Sequence, residues 1–269
     1  MMDRSGGGDP RETLNLLWRT PRTRSGRGRP PKVSFDKIVV AAMALADRDG
    51  LDAMTMDRIA DSLDVGTMTL YTHVPGKAEL TDLMVDHAWR ELDLAPEGPW
   101  RERIERYAQR NVALHERHPW LRQVSTARPP LGPGLFARND FLLSALFETG
   151  LTAAEISAAS DSIITFVDGA SATLAEHSHA ERISGQSDED WWDDRRVFWE
   201  NIFDPARYPA IERTWNDGGF DRSPAEAAAK AFDFGLRSLL DGIEAMARRS
   251  GRAGASRPRG SADEGRHHR

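Results

Sequence analysis

The chain has 269 residues, 39% of them hydrophobic and 29% charged, and it contains no cysteine. This length allows one or two domains with a buried core, while the missing cysteines exclude disulfides, thiolate catalysis and zinc ribbons. No apolar stretch approaches the roughly 18 residues of a membrane span, and the N-terminus lacks the apolar region of a signal peptide. We therefore expect a cytoplasmic protein without a membrane partner.

The net charge of −6 is unevenly distributed. Residues 1–33 carry eight basic and three acidic side chains, and residues 248–269 carry seven and two. Both ends are rich in Gly, Arg, Ser and Pro and poor in apolar residues, so we expect a disordered arm over 1–33 and a disordered tail over 249–269. The arm contains Arg27-Gly28-Arg29-Pro30, which resembles an AT-hook. By that resemblance Arg27 and Arg29 enter an A·T-rich minor groove; the alternative is a solvated arm.

Three helices are predicted over residues 34–74. Apolar side chains recur at helical spacing between Ser34, an N-cap residue, and Gly50, a C-terminal stop. A second helix begins at Thr55, whose hydroxyl can cap it, and a tight connector leads to a short third segment over 67–73. In this segment Leu70 and the following Val74 face inward, so the outward side chains are Thr67, Met68, Thr69, Tyr71, Thr72 and His73.

The short third segment carries no carboxylate, although residues 34–95 contain twelve. A short helix that displays hydroxyl, methyl and imidazole groups, joined tightly to the helix before it, suits insertion into the major groove. Acidic side chains there would repel phosphate. A fourth helix opens at Lys77, which places an ammonium group at a helix N-terminus, a favourable phosphate site. Residues 34–95 are therefore predicted to form a helix-turn-helix DNA-binding domain.

The stretch from Thr55 to Met84, TMDRIADSLDVGTMTLYTHVPGKAELTDLM, resembles the DNA-binding domain of TetR-family repressors, and the resemblance covers residues 34 to about 92. It implies that Tyr71 and Lys77 contact phosphates and that the groove-facing surface comprises Thr67, Met68, Thr69, Thr72 and His73. Thr55 and Met56, at the start of the second helix, complete the candidate DNA-binding set.

Alternative roles stay open for several of these residues. Tyr71 either contacts phosphate or packs between helices, and His73 either contacts DNA or is solvated. Met56 and Met68 either contact thymine methyl groups or fill the core. Thr72 stands where the TetR family often has a bulky aromatic, so the operator sequence stays open.

Residues 96–248 keep helical periodicity and show no run of alternating β-branched residues, so the predicted fold is all-α with a larger C-terminal domain. Helices are predicted over about 100–116, 119–125, 134–149, 153–177, 189–203, 208–216 and 224–248, with a polar loop over 178–188. Two of these helices carry apolar stripes of a kind that usually forms intramolecular core. In TetR-like repressors, however, the two long C-terminal helices form a four-helix bundle between subunits. The resemblance thus implies a homodimer, with a candidate interface of Ile163, Val167, Leu174, Phe232, Leu236, Leu239 and Ile243.

Six aromatic residues lie in helices that the TetR family uses to enclose a ligand cavity: Trp120, Phe136, Phe141, Phe147, Phe166 and Trp199. Such a cavity suits an unknown small hydrophobic or aromatic effector, whereas the alternative is that each ring is ordinary core. Residues 203–209 (FDPARYP) also resemble the tetracycline-repressor-type C-terminal domain. The histidines are scattered, so neither a metal nor a cofactor is expected.

The sequence contains no Gly-rich phosphate loop, no Gly-x-Ser-x-Gly elbow and no His-Glu-x-x-His, so an enzyme is not expected. We expect a ligand-responsive repressor that binds a palindromic operator as a homodimer and is released by a small molecule. The alternative is a non-enzymatic helical protein-interaction module, which the cluster of Trp191, Trp192 and Trp199 would suit.

Overall fold

A computed structural model describes residues 3–19 and 33–255, whose regular secondary structure is almost entirely helical. In chain order the elements are β1 (Asp3–Arg4), α1 (Pro10–Leu17), α2 (Phe35–Asp49), α3 (Met56–Ser62), α4 (Thr67–Tyr71), α5 (Lys77–Arg90), α6 (Trp100–Arg117), a 3-10 helix (Pro119–Gln123), β2 (Val124–Ser125), α7 (Pro133–Phe147), α8 (Ala153–Ser184), α9 (Asp188–Asp193), α10 (Arg196–Asn201), α11 (Pro209–Asn216) and α12 (Pro224–Ala255). The predicted all-α class is confirmed.

Helices α2, α3 and α4 form a small unit whose ends are set by local hydrogen bonds. The Ser34 hydroxyl accepts from the Lys37 N–H (3.4 Å), and Gly50 ends α2 with a φ of +84°, a conformation that favours glycine. The Thr55 hydroxyl accepts from the Arg58 N–H (3.3 Å) and caps α3. Both predicted N-caps are confirmed, and the unit is held together by fully buried apolar side chains, including Ile38, Ile59, Leu70 and Val74.

The two long helices α8 and α12 pack against each other and, with α6 and α7, build the C-terminal domain. Their apolar stripes face inward within one chain, because Ile163, Val167, Phe232, Leu236 and Ile243 are all buried. Leu174 and Leu239 are partly buried against the same core. Their own chain therefore covers these five side chains, which places them in the intramolecular core rather than in the predicted dimer interface.

The first part of the chain is also more ordered than its composition suggests. Strands β1 and β2 pair in parallel, with Asp3 opposite Val124, and α1 packs against α5. The Ser5 hydroxyl and the Gly6 N–H donate to the Asp82 carboxylate of α5 (2.5 and 2.9 Å). The predicted disorder of residues 1–33 is therefore wrong for residues 3–19, because buried contacts offset the entropy of ordering them. Arg27, Arg29 and the tail beyond residue 255 lie outside the described residues.

Three predicted boundaries in the C-terminal domain differ from the structure. Helix α8 continues to Ser184, through most of the predicted loop over 178–188. The predicted helix over 189–203 is divided into α9 and α10, and the one over 119–125 is a 3-10 helix followed by β2. Among the described residues, no helix is long and apolar enough to cross a membrane.

Candidate nucleic-acid interface

Helix α4 presents one buried and one exposed face. Leu70 and the following Val74 are fully buried, and the helix packs against α3, whereas Met68 is 76% exposed and Tyr71 45% exposed. These exposures place Met68 on the surface and leave the Tyr71 ring accessible. Met56 is only 8% exposed, so it fills the core, the alternative that the sequence left open. A contact between Met56 and a thymine methyl group would require this side chain to leave the core.

The hydroxyl groups around α4 are held by local hydrogen bonds. Thr67 donates to the Asp57 carboxylate of α3 (2.7 Å), which joins the two helices, and Thr72 donates to the Thr69 carbonyl (2.7 Å). Thr55 serves as the N-cap of α3. These contacts order the side chains along α4, while each hydroxyl oxygen keeps acceptor capacity for a further partner.

Helix α5 begins directly after Gly76, with no side-chain cap on its first N–H groups. The Lys77 ammonium donates to the Leu51 carbonyl (3.2 Å), which ties the start of α5 to the segment after α2. An ammonium group carries three donors, so this hydrogen bond is compatible with a further contact to phosphate. The half-buried N-terminus of α5, at Lys77, and the exposed face of α4 together form the candidate nucleic-acid interface.

Comparison with known proteins supports the same interpretation. The model of the family described as "Bacterial regulatory proteins, tetR family" matches residues 38–84, and that of the "Tetracyclin repressor-like, C-terminal domain" matches residues 93–247. The HTH-type transcriptional repressor DrrR1 of Streptomyces coeruleorubidus is 38% identical over 249 residues, covering 90% of this chain and 88% of that protein. The chain belongs to the TetR family of bacterial transcriptional regulators.

Two further similarities extend over both domains. The tetracycline repressor protein class E of Escherichia coli is 27% identical over 224 residues, covering 80% of this chain and 92% of that protein. The structure of ActR from Streptomyces coelicolor in complex with actinorhodin matches with a TM-score of 0.65 and 25% identity, over 80% of this chain and 98% of that one. TetR-family proteins bind operator DNA as dimers and bind small-molecule ligands, so this chain is a ligand-responsive, DNA-binding transcriptional regulator.

The DNA-binding unit of this TetR-family protein is joined to the C-terminal domain by a buried imidazole. His118, at the end of α6, contacts the Asp47 carboxylate of α2 through Nδ1 (2.8 Å) and the Glu91 carboxylate after α5 through Nε2 (3.1 Å). The Trp120 indole donates to the same Asp47 oxygen (2.7 Å). Burial opposes protonation of His118, but the two carboxylates outweigh it and raise the pKa of the ring.

The six aromatic residues proposed from the sequence as ligand contacts do not surround one cavity. Trp120 is buried at the junction with the DNA-binding unit, and Phe141 is buried in the core. Phe166 stacks on Phe232 of α12, with ring centroids 6.1 Å apart. Phe136 and Phe147 are exposed on α7, and Phe136 contacts Trp18 after α1. Of the six, Trp199 lines a larger cavity formed by α9 to α12.

The C-terminal core instead contains a buried polar cluster that sequence analysis missed. Arg138 of α7 pairs with Asp168 of α8 (Nη1 to Oδ2, 3.1 Å), and Asn111 of α6 donates to Asp168 (3.1 Å). The Arg138 guanidinium also lies 4.2 Å from the centre of the Trp89 ring of α5. A signal was present in the sequence, since Arg138 and Asp168 each interrupt an apolar stretch of a helix.

Several polar atoms of this region lack a partner among the described residues. The Tyr107 hydroxyl, the Asn111 carbonyl oxygen and the His115 Nδ1 are buried without a hydrogen bond. Burial raises the pKa of Tyr107 and lowers that of His115, so both side chains are held neutral. A cavity of about 150 Å³ is lined by His115, Asp168 and Trp89 among others. Buried polar atoms without partners are ready to hydrogen-bond an entering ligand.

Proposed function

We propose that this chain is a repressor that binds a palindromic operator as a homodimer and is released by a small molecule bound in the C-terminal core. The observation that carries the proposal is the exposed, carboxylate-free face of α4 within a helix-turn-helix unit. We infer no enzymatic activity, and we place the protein in the cytoplasm because its operator DNA lies there.

Helix α4 enters the major groove in this proposal. Met68, Thr69, Thr72 and His73 face the base edges, where hydroxyl, methyl and imidazole groups can read donors, acceptors and thymine methyl groups. Thr67 lies on the same groove-facing surface. Tyr71 and Lys77, with Thr55 beside them, contact the phosphate backbone and fix the register. Arg27 and Arg29, outside the described residues, reach the adjacent minor groove.

The second copy packs on the outward faces of α8 and α12. On α12 one stripe of exposed residues repeats every three or four positions and consists of small side chains around one large ring: Ala231, Phe234, Ser238, Gly242 and Ala245. Phe234 is 73% exposed in the single chain, and exposing so large an apolar ring to water is unfavourable. Small neighbours let a second helix approach closely, so Phe234 is the proposed anchor of the dimer.

The effector enters the core beside the buried polar cluster of Tyr107, Asn111, His115, Arg138 and Asp168. Buried polar atoms without partners favour an aromatic molecule that carries hydroxyl or carbonyl groups over a hydrocarbon. A relative of similar structure is described in complex with actinorhodin. An effector that displaces α6 would shift His118, and with it the contacts to Asp47 and Glu91 that hold the DNA-binding unit.

The experiment that tests this proposal is binding of the purified protein to the DNA upstream of its own gene, at two salt concentrations. An unrelated duplex of equal length is the control. We expect tight, salt-sensitive and selective binding with two protomers per site, because phosphate neutralisation releases counterions. Equal weak binding to both duplexes would contradict a role at this promoter and favour the interaction-module alternative.

A further inference from the structure

The segment between α8 and α12 forms an aromatic cavity of about 650 Å³ at the surface, which we name the indole cavity. Its wall is a row of rings from α9, α10, α11 and the loop after α11. The centroids of Trp192 and Trp199 lie 6.4 Å apart, those of Trp199 and Trp215 5.4 Å, and those of Trp215 and Phe220 6.2 Å. The remaining lining residues are Asp193, Arg196, Ile211, Gly219, Arg222, Pro224 and Ala227.

These aromatic rings do not stabilise the core of the C-terminal domain. Helices α10 and α11 contain no buried residue, and the Trp192, Trp215 and Phe220 side chains are exposed. Four large rings held around an open cavity leave much apolar surface in water, which is unfavourable unless something covers it. The volume falls within the range of small-molecule sites, about 300 to 1,000 Å³. The cavity therefore has the size and the surface of a ligand site.

The charged groups that line the cavity indicate the sign of the charge on the ligand. Arg196 pairs with Asp193 (2.6 Å), so these two charges compensate each other. The Arg222 guanidinium makes no hydrogen bond or ion pair with any described residue. An aromatic cage alone would also suit a cation, but the lining carries two guanidinium groups against one carboxylate and so opposes one. The excess positive charge favours an anionic group.

We propose that the indole cavity binds a planar aromatic molecule that carries a carboxylate or a similar acidic group. The rings of such a ligand stack on Trp199 and Trp215, and its acidic group pairs with Arg222. The cavity shares no lining residue with the small cavity beside the buried polar cluster. It is thus a second small-molecule site, separate from the effector site in the core.

The test uses 2-anthracenecarboxylate and its uncharged analogue 2-anthracenemethanol, titrated into the full-length protein by calorimetry. We expect Arg222→Gln to weaken binding of the carboxylate about tenfold and to change binding of the alcohol less than twofold, because only the carboxylate pairs with the guanidinium. Trp215→Leu should weaken binding of both probes about tenfold, because both stack on the ring. Trp18→Leu, which makes the same change at an exposed indole after α1, is the matched control and should leave both affinities unchanged.

Circular dichroism and size-exclusion chromatography show whether each variant keeps its fold and its oligomeric state. With fold and oligomeric state preserved, the proposal would be overturned if neither probe bound the wild-type protein. It would also be overturned if neither Trp215→Leu nor Arg222→Gln altered the affinities, or if Arg222→Gln weakened the affinity for both probes equally. The last result would mean that the guanidinium does not meet the acidic group.

Discussion

His118 Nδ1 lies 2.8 Å from Asp47 Oδ1, and this contact joins residues 71 positions apart, at the end of α6 and in α2 of the DNA-binding unit. The other ring nitrogen lies 3.1 Å from Glu91, which Arg117 also contacts (2.5 Å). One imidazole thus bridges both domains and the helix between them. A movement of α6 would therefore reach the helix-turn-helix through this ring.

The contribution of His118 to stability should depend on pH. The pKa of the folded-state ring is raised, so the protonated form stabilises the folded state. That contribution is complete below the unfolded pKa, about 6.5, and is lost as the pH rises through the raised folded value. We expect His118→Gln to lower the free energy of unfolding by about 2 kcal/mol at pH 5.5 and by less at pH 9. Urea unfolding at both pH values checks this, and an equal loss at both would contradict it.

The control for this measurement is His177→Gln on α8, whose ring takes no part in the contact with Asp47 and Glu91. Its free energy of unfolding should follow the wild-type pH profile.

Tyr71→Phe should weaken operator binding without changing the fold. The ring is exposed, so removing the hydroxyl costs no core packing, while the proposed hydrogen bond to phosphate is lost. We expect about tenfold weaker binding by fluorescence anisotropy, since a hydrogen bond to a charged group contributes about 1.5 kcal/mol or more. Met56→Leu, a volume-conserving change in the core, is the control and should retain wild-type affinity. If Tyr71→Phe kept wild-type affinity, the Tyr71 hydroxyl would make no contact with the DNA phosphate.

Replacing Arg27 and Arg29 together by Gln should make operator binding less dependent on salt. Each lost phosphate neutralisation lowers the slope of log K against log salt by about 0.9. We expect the slope to fall by about 1 to 2, measured by anisotropy from low to high salt. The control replaces two other arginines by Gln: Arg207, which precedes α11, and Arg213, which lies on it. This double variant removes the same charge and should keep the wild-type slope. If the slope were unchanged when Arg27 and Arg29 are both replaced, the arm would be a solvated segment that does not contact DNA.

Phe234→Glu should dissociate the dimer. A charge at the proposed anchor loses the apolar contact and, by two-fold symmetry, meets a second charge. We expect the dimer dissociation constant to rise at least about hundredfold, measured by analytical ultracentrifugation. Phe147→Glu makes the same change at a ring that is 64% exposed on α7 and should leave the dimer intact. If Phe234→Glu left the dimer dissociation constant unchanged, the second copy would pack on a face that does not contain Phe234.

Arg138→Met should destabilise the C-terminal domain, because it leaves the Asp168 carboxylate without its cation. Breaking a buried pair by removing one partner costs about 3 kcal/mol, and replacing both partners by apolar side chains costs less. Urea unfolding should therefore show a larger loss in Arg138→Met than in Arg138→Met with Asp168→Leu. The exposed pair of Arg110 and Asp93 (3.1 Å) gives the control, since Arg110→Met should cost less than about 1 kcal/mol.

Some features of the fold and of the interface could be predicted because they depend on neighbouring residues. Ser34 and Thr55 cap their helices through hydrogen bonds that reach three residues along the chain, and Gly50 ends α2 through its own backbone conformation. The exposed face of α4 follows from helical spacing once Leu70 is assigned to the core. The resemblance to TetR-family repressors then allowed the fold of that family to be predicted for the whole chain.

Other features depend on which helix lies beside which, and helical periodicity carries no information on that. The stripes of α8 and α12 show that each helix has an apolar face, but whether that face meets its own chain or a second copy depends on packing. The Asp47 to His118 contact and the Arg138 to Asp168 pair join residues 71 and 30 positions apart, beyond any local pattern. The order of residues 3–19 likewise arises from hydrogen bonds with α5 and strand pairing with β2, which offset the entropy of ordering this segment.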